Sequence, residues 1–284
     1  MRPAHVIEIV TPKKVHLNGL WLGPRKPKRA IVWIHGLSSS AFGKASVIDG
    51  LVDGRTAVLT FNNRGHDKIS SITNAKGKRI IAGGAHEVFT DCVDDIEGAI
   101  RFARKQGVRT IYLAGTSSGA QKSIYWASKK GKGIKGVILF APISDYAYER
   151  MSVGKAVLGR IEKIARSYIK QGKEHELLPA GTLGWYYIVD AQRFISLYSG
   201  DSQEEIFTYW DPKRNPKTLR SVKLPILVLL AEKDEYGDRP AQKIGDWFAE
   251  HLKIGDEIVI VPRVGHSFKG AEKKVPKLIH NFMK

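Results

Sequence analysis

The sequence predicts an α/β fold in which a mostly parallel central sheet is flanked by helices. Three observations lead to this prediction. Short apolar segments of strand length alternate with segments whose apolar residues recur at helical spacing, most regularly over residues 226–282. Glycine, serine, histidine and acidic residues follow directly where several of the apolar segments end. Residues 144–222 contain no evident core strand, although one crossover helix would suffice there, and this surplus predicts an inserted helical cap.

Length and composition fit a globular chain. The 284 residues are 43% hydrophobic, which is enough to bury a full core. The single cysteine, Cys92, cannot form an internal disulfide, which fits a reducing compartment. Residues 1–10 lack the apolar region of a signal peptide, and no window approaches the roughly 20 apolar residues of a membrane span. We therefore expect a soluble, cytoplasmic protein without a transmembrane segment.

The formal net charge of +18 is the unusual bulk property. Such a charge attracts nucleic acid, anionic lipid or an acidic substrate. The basic residues are nevertheless spread from Lys13 to Lys284, and no nucleic-acid module, aromatic stacking motif or zinc-ligand spacing accompanies them. We interpret the charge as a solvated, lysine-rich surface and expect no nucleic-acid partner. A nucleic-acid-binding role is the alternative, and it requires a contiguous basic face.

Each predicted strand is a short run of β-branched or other apolar residues next to polar or turn residues. The first two strands form an antiparallel edge, because only Thr11-Pro12-Lys13-Lys14 separates them. The predicted strands are residues 6–10, 15–22, 30–36, 57–61, 110–114, 136–142, 226–230 and 257–261. The predicted helices of the core are residues 45–52, 91–107, 240–252 and 271–282, together with one that follows Gly119. Residues 70–85 have no clear periodicity and are rich in glycine, lysine and serine, which predicts a long loop.

The strand at 110–114 stops at Gly115-Thr116-Ser117-Ser118-Gly119, the Gly-x-Ser-x-Gly pattern of a nucleophile elbow. A serine at the tip of a sharp turn from strand to helix exposes its hydroxyl, and the two glycines leave room for the neighbouring backbone. The following helix directs its free N–H groups at the position where an oxyanion would form. A frame with Ser118 at the tip is disfavoured, because it puts Thr116 where a small residue is needed. A glycine-rich turn without chemistry is the alternative interpretation.

Two further polar groups follow strands later in the chain. Asp234 lies just after the strand at 226–230, and Gly265-His266 follows the strand at 257–261. Because the carboxyl ends of parallel strands share one edge of a sheet, Ser117, Asp234 and His266 can converge there. Asp145, which follows the strand at 136–142, is the rival acid, and Asp238 is a weaker rival. We favour Asp234 because it follows its strand directly, in a tight turn.

The strand at 30–36 ends in His35-Gly36, where a backbone N–H can supply a second oxyanion donor. We expect His35 to pack and hydrogen-bond beneath this loop rather than act in catalysis. Residues 62–67, Asn-Asn-Arg-Gly-His-Asp, resemble the Asp-x-Arg-Gly-x-Gly loop of many α/β-hydrolases. This resemblance implies that they brace the same turn, with substrate contact by Arg64 or His66 as the alternative. Four acidic residues lie at the start of the helix predicted from residue 91, namely Asp91, Asp94, Asp95 and Glu97. A metal site is one interpretation, but favourable interaction with the helix dipole explains these acids without a metal.

The cap is assigned to residues 144–222, which leaves 1–143 and 223–284 as the core domain. Apolar residues at helical spacing, from Val153 to Tyr168, predict an amphipathic helix with a basic outer face that covers the pocket or the main core, a membrane-surface role being the alternative. Ser202-x-x-Glu205 predicts the capping box of a second helix. The predicted cap is also rich in aromatic residues, which we expect to pack the cap or to line an acyl or aryl pocket. They are Trp185, Tyr186, Tyr187, Phe194, Tyr198, Phe207, Tyr209 and Trp210.

In these ordered motifs, from about Val6 onward, the chain resembles an α/β-hydrolase, and with its inserted lid it is similar to microbial carboxylesterases, including feruloyl esterases. The resemblance implies Ser117 as nucleophile, His266 as general base and then acid, and Asp234 as the group that orients the imidazole. It implies the amides of Leu37 and Ser118 as the oxyanion hole, with no cofactor or metal.

The implied activity is hydrolysis of short to medium acyl or aryl esters of small molecules through an acyl-enzyme. The alternatives on the same triad are an amidase or peptidase, a thioesterase or an acyltransferase. A non-catalytic binding protein with this fold is a further alternative. The oligomeric state is not readable from the sequence.

Overall fold

A ten-stranded sheet forms the centre of the computed structural model, which describes residues 3–179 and 188–284. The strands are β1 (Ala4–Val10), β2 (Val15–Leu22), β3 (Arg29–Ile34), β4 (Thr56–Phe61), β5 (Ser70–Asn74), β6 (Arg79–Ala82), β7 (Thr110–Thr116), β8 (Val137–Phe140), β9 (Ile226–Ala231) and β10 (Glu257–Val261). The helices are α1 (Ala45–Leu51), α2 (Cys92–Lys105), α3 (Ser118–Lys129), α4 (Asp145–Val153), α5 (Lys155–Lys170), α6 (Ala191–Tyr198), α7 (Lys217–Arg220), α8 (Ala241–His251) and α9 (Lys274–Phe282). A short 3₁₀ turn, Phe89–Asp91, precedes α2.

The strand order is β10-β9-β8-β7-β3-β4-β2-β5-β6, and β1 also pairs with β2. The six strands from β10 to β4 in this order are parallel, whereas β1, β2, β5 and β6 pair in antiparallel fashion. The central strands β3, β4, β7, β8 and β9 are buried along nearly their whole length, as expected for strands covered on both faces. The predicted α/β class, the parallel centre and the antiparallel N-terminal edge are thus confirmed.

Two apolar cores lie on opposite faces of the sheet. On one face, α2, α3 and α8 pack on residues such as Val32, Leu113 and Val228. On the other face, α1 and α9 pack on residues such as Trp33 and Phe140, whose rings lie 5.1 Å apart. Adjacent residues of one strand belong to opposite cores, because side chains alternate along a strand.

Two sequence-based predictions about local structure are wrong. The predicted loop at 70–85 contains the hairpin β5–β6, which extends the sheet beyond β2. The Ser202-x-x-Glu205 pattern does not begin a helix, although the Ser202 hydroxyl does accept the Glu205 N–H at 3.3 Å. The Glu205 side chain instead accepts hydrogen bonds from the Ser144 hydroxyl at 2.6 Å and the Trp210 indole at 2.7 Å.

The segment between β8 and β9 carries α4 to α7 and has a small apolar core of its own. Leu158 and Ile161 of α5 pack there against Phe194 and Leu197 of α6, and Leu37 of the core contacts the same cluster. The predicted amphipathic helix is split at Gly154, so Val153 ends α4 and the rest belongs to α5. The predicted cap aromatics Trp185, Tyr186 and Tyr187 lie outside the described residues.

A buried ionic network joins α6 to the core. The Arg193 guanidinium, fully buried, donates to Glu87 at 3.0 Å and to Glu204 at 2.5 Å. Lys122, also fully buried, pairs with the other oxygen of Glu87 at 2.5 Å. Burial would raise the pKa of Glu87, but the charges of Lys122 and Arg193 hold it below its usual range. The network therefore fastens the segment between β8 and β9 to the core through charges that water does not screen.

Among the described residues, none of the helices has the length and hydrophobicity that a membrane span requires.

Candidate active site

Ser117 occupies a sharp turn between β7 and α3. Its backbone has φ 54° and ψ −126°, a conformation that L-residues rarely adopt, and its N–H donates to the Phe140 carbonyl at 2.8 Å. A Cβ on Gly119 would collide with the Ile34 carbonyl oxygen, and a Cβ on Gly115 would collide with Gly119. The two glycines of the motif are therefore required because strand and helix approach each other too closely for side chains.

Two backbone N–H groups lie beside this turn. Ser118 is the first residue of α3, where helix geometry leaves N–H groups without intrahelical partners. Leu37 follows Gly36, whose position is so close to the elbow that an added Cβ would lie 3.1 Å from Ser117 Cβ. Neither the Ser118 nor the Leu37 N–H donates to another described residue. Both donors are available to a negatively charged oxygen at the tip of the elbow.

His266 and Asp234 meet in a hydrogen-bonded contact. The imidazole Nδ1 lies 2.9 Å from Asp234 Oδ2 and 3.0 Å from Oδ1. Asp234 follows β9 and His266 follows β10, and these neighbouring parallel strands bring the two loops together. The Tyr236 ring lies edge-on to the imidazole at 4.9 Å. With Nδ1 on the carboxylate, Nε2 is the imidazole nitrogen left for another partner.

Asp145, the rival acid, lies elsewhere in the same cavity. Its carboxylate accepts from the Gln121 amide at 3.1 Å, and among the described residues it makes no hydrogen bond to His266. Burial, with the Glu204 charge, raises the pKa of Asp145 to about 7. Asp238, the weaker rival, pairs with Arg239 at 2.8 Å. Of the three acids, the structure places Asp234 against the imidazole.

A cavity of about 920 Å³ opens at this edge of the sheet. Ser117, His266, Leu37 and Asp145 all line it. Its apolar walls include Trp33, Ile143 and Tyr236, and its polar lining includes Lys44, Ser46, Ser267, Lys269 and Glu272. None of the described aromatic residues predicted for the cap lines this cavity. Phe207 and Tyr209 pack on α8 instead, 5.4 Å from Phe248 and 5.9 Å from Trp247.

His35 is buried beneath the loop that carries Leu37 and is hydrogen-bonded there, as the sequence predicted. It is 2% exposed, its Nδ1 lies 2.8 Å from the Gly36 carbonyl, and its Nε2 accepts the Asn63 N–H at 3.2 Å. Burial, followed by the charge of Lys122, lowers the pKa of His35 to about 3. The ring is therefore neutral, with Nδ1 donating and Nε2 accepting. Asn62 adds a bond from the Ala41 N–H at 2.7 Å, so residues 62–67 support this loop.

The acids at the start of α2 bind a side chain of the protein. Arg64 pairs with Asp91 at 2.9 Å, with Asp95 at 3.0 Å and with Asp94. Across residues 3–179 and 188–284 no group of three or more histidine, cysteine or acidic residues is arranged to hold a metal ion. The Arg64 guanidinium thus lies between the carboxylates, where the alternative interpretation expected a metal ion. Arg64 does not line the cavity of Ser117 and His266.

Sequence reasoning missed several residues around the site. Lys44 Nζ donates to the His266 carbonyl at 3.1 Å, and Glu235 accepts the His266 N–H at 2.8 Å. Gln121, on α3, fixes Asp145. Lys44 and Gln121 belong to no sequence motif that could have identified them. For Glu235, the only indication in the sequence is its position next to Asp234.

Comparison with known proteins gives a family and a fold. The family described as "Protein of unknown function (DUF1749)" matches residues 81–280. No curated protein matches the sequence. An esterase of Pyrococcus furiosus, Pf2001, is 17% identical, with a TM-score of 0.63 over 99% of this chain and 91% of its own.

Two further solved structures are similar. Est1E from Butyrivibrio proteoclasticus, solved with ferulic acid bound, is 18% identical, with a TM-score of 0.65 over 98% of this chain and 97% of its own. The α/β-hydrolase GrgF from Penicillium sp. sh18 is 15% identical, with a TM-score of 0.65 over 99% of this chain and 98% of its own. At these identities the likeness establishes the α/β-hydrolase fold, which confirms the family resemblance found in the sequence motifs.

Proposed function

Since the chain belongs to the DUF1749 family of proteins of unknown function and has the α/β-hydrolase fold, we propose that it is a serine hydrolase that cleaves carboxylic esters. One observation carries the proposal. Ser117, on a strained turn with two unpartnered amides beside it, lines the same cavity as a histidine whose Nδ1 is bound to a carboxylate. A serine, a base and an orienting acid are the parts that nucleophilic acyl transfer needs.

In the proposed mechanism, Ser117 Oγ attacks the ester carbonyl while His266 Nε2 takes the hydroxyl proton. Asp234 holds the imidazole with its other nitrogen protonated and stabilises the imidazolium that forms. The N–H groups of Leu37 and Ser118 bind the oxyanion, and each such donor contributes about 3 kcal/mol in comparable sites.

The second half of the cycle uses the same groups. His266 gives its proton to the leaving alcohol, and an acyl group remains on Ser117. Water, deprotonated by His266, then attacks the acyl-enzyme. His266 returns this proton to Ser117 Oγ as the bond to the acyl group breaks, which releases the acid and restores the serine hydroxyl. Every proton in this cycle moves through His266, so neither a metal nor a cofactor takes part in the proposed steps.

We propose short to medium acyl or aryl esters as substrates. The cavity of about 920 Å³ lies within the range of pockets for drug-sized molecules, and Trp33, Leu37, Ile143 and Tyr236 give it apolar walls. The bound ferulic acid in Est1E, a protein of the same fold, is consistent with an aryl group. We also propose that residues 144–222 act as the cap of this pocket, because their apolar cluster packs against Leu37.

The first test is covalent labelling with a fluorophosphonate, read as intact mass. The wild type should gain one stoichiometric adduct, whereas Ser117→Ala and His266→Ala should gain none. Ser128→Ala is the matched control, because this serine also lies on α3 but bonds the Tyr125 carbonyl at 2.7 Å outside the cavity. A folded wild type without an adduct would contradict the proposal and favour a non-catalytic binding protein.

Turnover then identifies the acyl group. A panel of p-nitrophenyl and hydroxycinnamoyl esters should be hydrolysed well above the Ser117→Ala background. Matched amides and thioesters distinguish an esterase from the other hydrolases that the same residues could support. Labelling without turnover of any ester would remove the ester class and keep the serine hydrolase.

A further inference from the structure

The main chain of His266 is held from both sides by charged side chains. Glu235 Oε2 accepts the His266 N–H at 2.8 Å, and Lys44 Nζ donates to the His266 carbonyl at 3.1 Å. The imidazole itself is bound to Asp234. The backbone N–H, the backbone carbonyl and the imidazole Nδ1 of His266 therefore each bind a different charged side chain.

The surrounding backbone is shaped for these contacts. An added Cβ on Gly265 would lie 2.7 Å from Glu235 Oε2, so a side chain there would displace the carboxylate from the His266 N–H. Lys44 has φ 62°, in the left-handed region, at the residue before α1. A non-glycine residue adopts that conformation rarely, and here it accompanies a half-buried ammonium directed across the cavity to the loop of His266.

The charges of the pair also act on each other. Burial lowers the pKa of Lys44, and the carboxylates of Asp234 and Glu235 oppose that change. Burial would raise the pKa of Glu235, but the His266 N–H and the nearby cations hold it below its usual range. The lysine and the glutamate, whose formal charges have opposite signs, thus lie on the two sides of one imidazole-bearing loop.

We propose that Lys44 and Glu235 are positioning residues, which hold the loop of His266 so that its imidazole stays on Asp234 and faces Ser117. Because Lys44 comes from the segment that follows the oxyanion donor Leu37, it also ties the oxyanion side of the pocket to the general base. The inference rests on the proposed function, since it gives these residues a role in the same reaction.

Opposite charges make the two roles separable by pH. A cation near an imidazole disfavours the imidazolium and an anion favours it. Removing the charge of Lys44 should move the acidic limb of the pH profile of kcat/KM to higher pH. Removing the charge of Glu235 should move it to lower pH. Among the described residues, the other charged or titratable groups around His266 are Asp234, Tyr236 and Asp145, together with Lys269 and Glu272 in the lining of the same cavity. All of them stay unchanged in both variants.

The experiment compares Lys44→Met and Lys44→Arg with Glu235→Ala and Glu235→Gln. Lys44→Met and Glu235→Ala each lose a backbone bond, so the rate of fluorophosphonate labelling and kcat should fall about tenfold, with KM changed less than about threefold. Lys44→Arg and Glu235→Gln keep the bond and should recover most of the rate. The limb should move up by about half a pH unit in Lys44→Met and down by a smaller amount in Glu235→Gln, because Glu235 is exposed and screened.

Lys132→Met and Glu250→Gln are the matched controls, because both residues are exposed and lie outside the cavity. Melting temperatures identify any variant that has lost its fold. Limbs that stay in place, or that move in the same direction in Lys44→Met and Glu235→Gln, would overturn the proposal.

An NMR titration of the His266 ring proton Hε1, in the Ser117→Ala background, keeps the two proposals distinguishable. The midpoint of this titration should move to higher pH in Lys44→Met and to lower pH in Glu235→Gln. These shifts do not require that the protein hydrolyses any ester. An unlabelled, inactive wild type would refute the hydrolase. Equal midpoints in all variants would refute the positioning role in a protein that still hydrolyses esters.

Discussion

Arg193→Leu should cost far more stability than the substitution of an exposed, paired arginine. Arg193 is 0% exposed and reaches four acceptors, with Glu204 at 2.5 Å, Glu87 at 3.0 Å, the Gly84 carbonyl at 3.3 Å and the Ser196 hydroxyl at 3.4 Å. Leucine fills much of the same volume but donates to none of them. Glu87 keeps Lys122. Of its side-chain partners among the described residues, Glu204 keeps only the Ser196 hydroxyl at 2.6 Å, and it becomes a buried carboxylate without a cation from that part of the chain.

The magnitude follows from that unpaired charge. Removing one partner of a buried ion pair costs about 3 to 5 kcal/mol, because the remaining charge is still desolvated. For a chain of this size each kcal/mol lowers the melting temperature by about 2 to 3 °C, so a loss of roughly 6 to 15 °C is expected. The exposed pair of Arg101 with Glu97 at 3.0 Å is the matched control, and Arg101→Leu should cost below about 1 kcal/mol.

Differential scanning calorimetry of both variants at pH 7 measures the difference. The double variant Arg193→Leu/Glu204→Leu should recover at least half of the loss, since an apolar pair replaces a pair of charges without leaving either one behind. A single variant that melts within about 2 °C of the wild type would refute the argument. A double variant less stable than the single one would do the same.

Two further predictions concern the elbow and a buried acid. Gly119→Ala should abolish fluorophosphonate labelling, because the added Cβ would collide with the Ile34 carbonyl. Gly159→Ala on α5 is the control, because its added Cβ meets nothing within 4 Å and labelling should stay intact. Equal labelling of the two variants would contradict the steric account. Glu205→Gln should be more stable than the wild type at pH 9 and differ little near pH 4. Burial raises the pKa of Glu205 to about 8, so the native state favours the protonated acid and the wild type loses stability as pH rises through that value, by roughly a few kcal/mol. Urea denaturation at both pH values measures this, and a difference that does not grow with pH would contradict it.

Much of the candidate site could be predicted from the sequence because each polar group follows its own strand. Ser117, Asp234 and His266 come after β7, β9 and β10, and parallel strands end at a common edge. The elbow itself is a local pattern, in which Gly115 and Gly119 are required by close backbone contact. The choice between Asp145 and Asp234 is different, because both follow strands, and only the distances place Asp234 on the imidazole.

The errors arise where partners distant in sequence decide the structure. The hairpin β5–β6 is short and largely exposed, and its residues Ile80 and Ile81 face solvent rather than a core. Its sequence therefore shows no clear apolar alternation, and the hairpin depends on pairing with β2. Glu205 matches a capping box, but Ser144 and Trp210 bind its carboxyl group instead. A local pattern does not contain these competing donors.

By itself, the sequence determined eight of the ten strands, the core helices that alternate with them and the candidate nucleophile. Hydrophobic periodicity and glycine-dependent turns are properties of neighbouring residues, so they can be recognised without the fold. Only the tertiary structure decided that Lys122 and Arg193 are buried with Glu87, and that Lys44 and Glu235 hold the loop of His266. The physical reason is that a charged side chain is stable in the interior only beside its counter-charge, and Glu87 lies 106 positions from Arg193 in the chain.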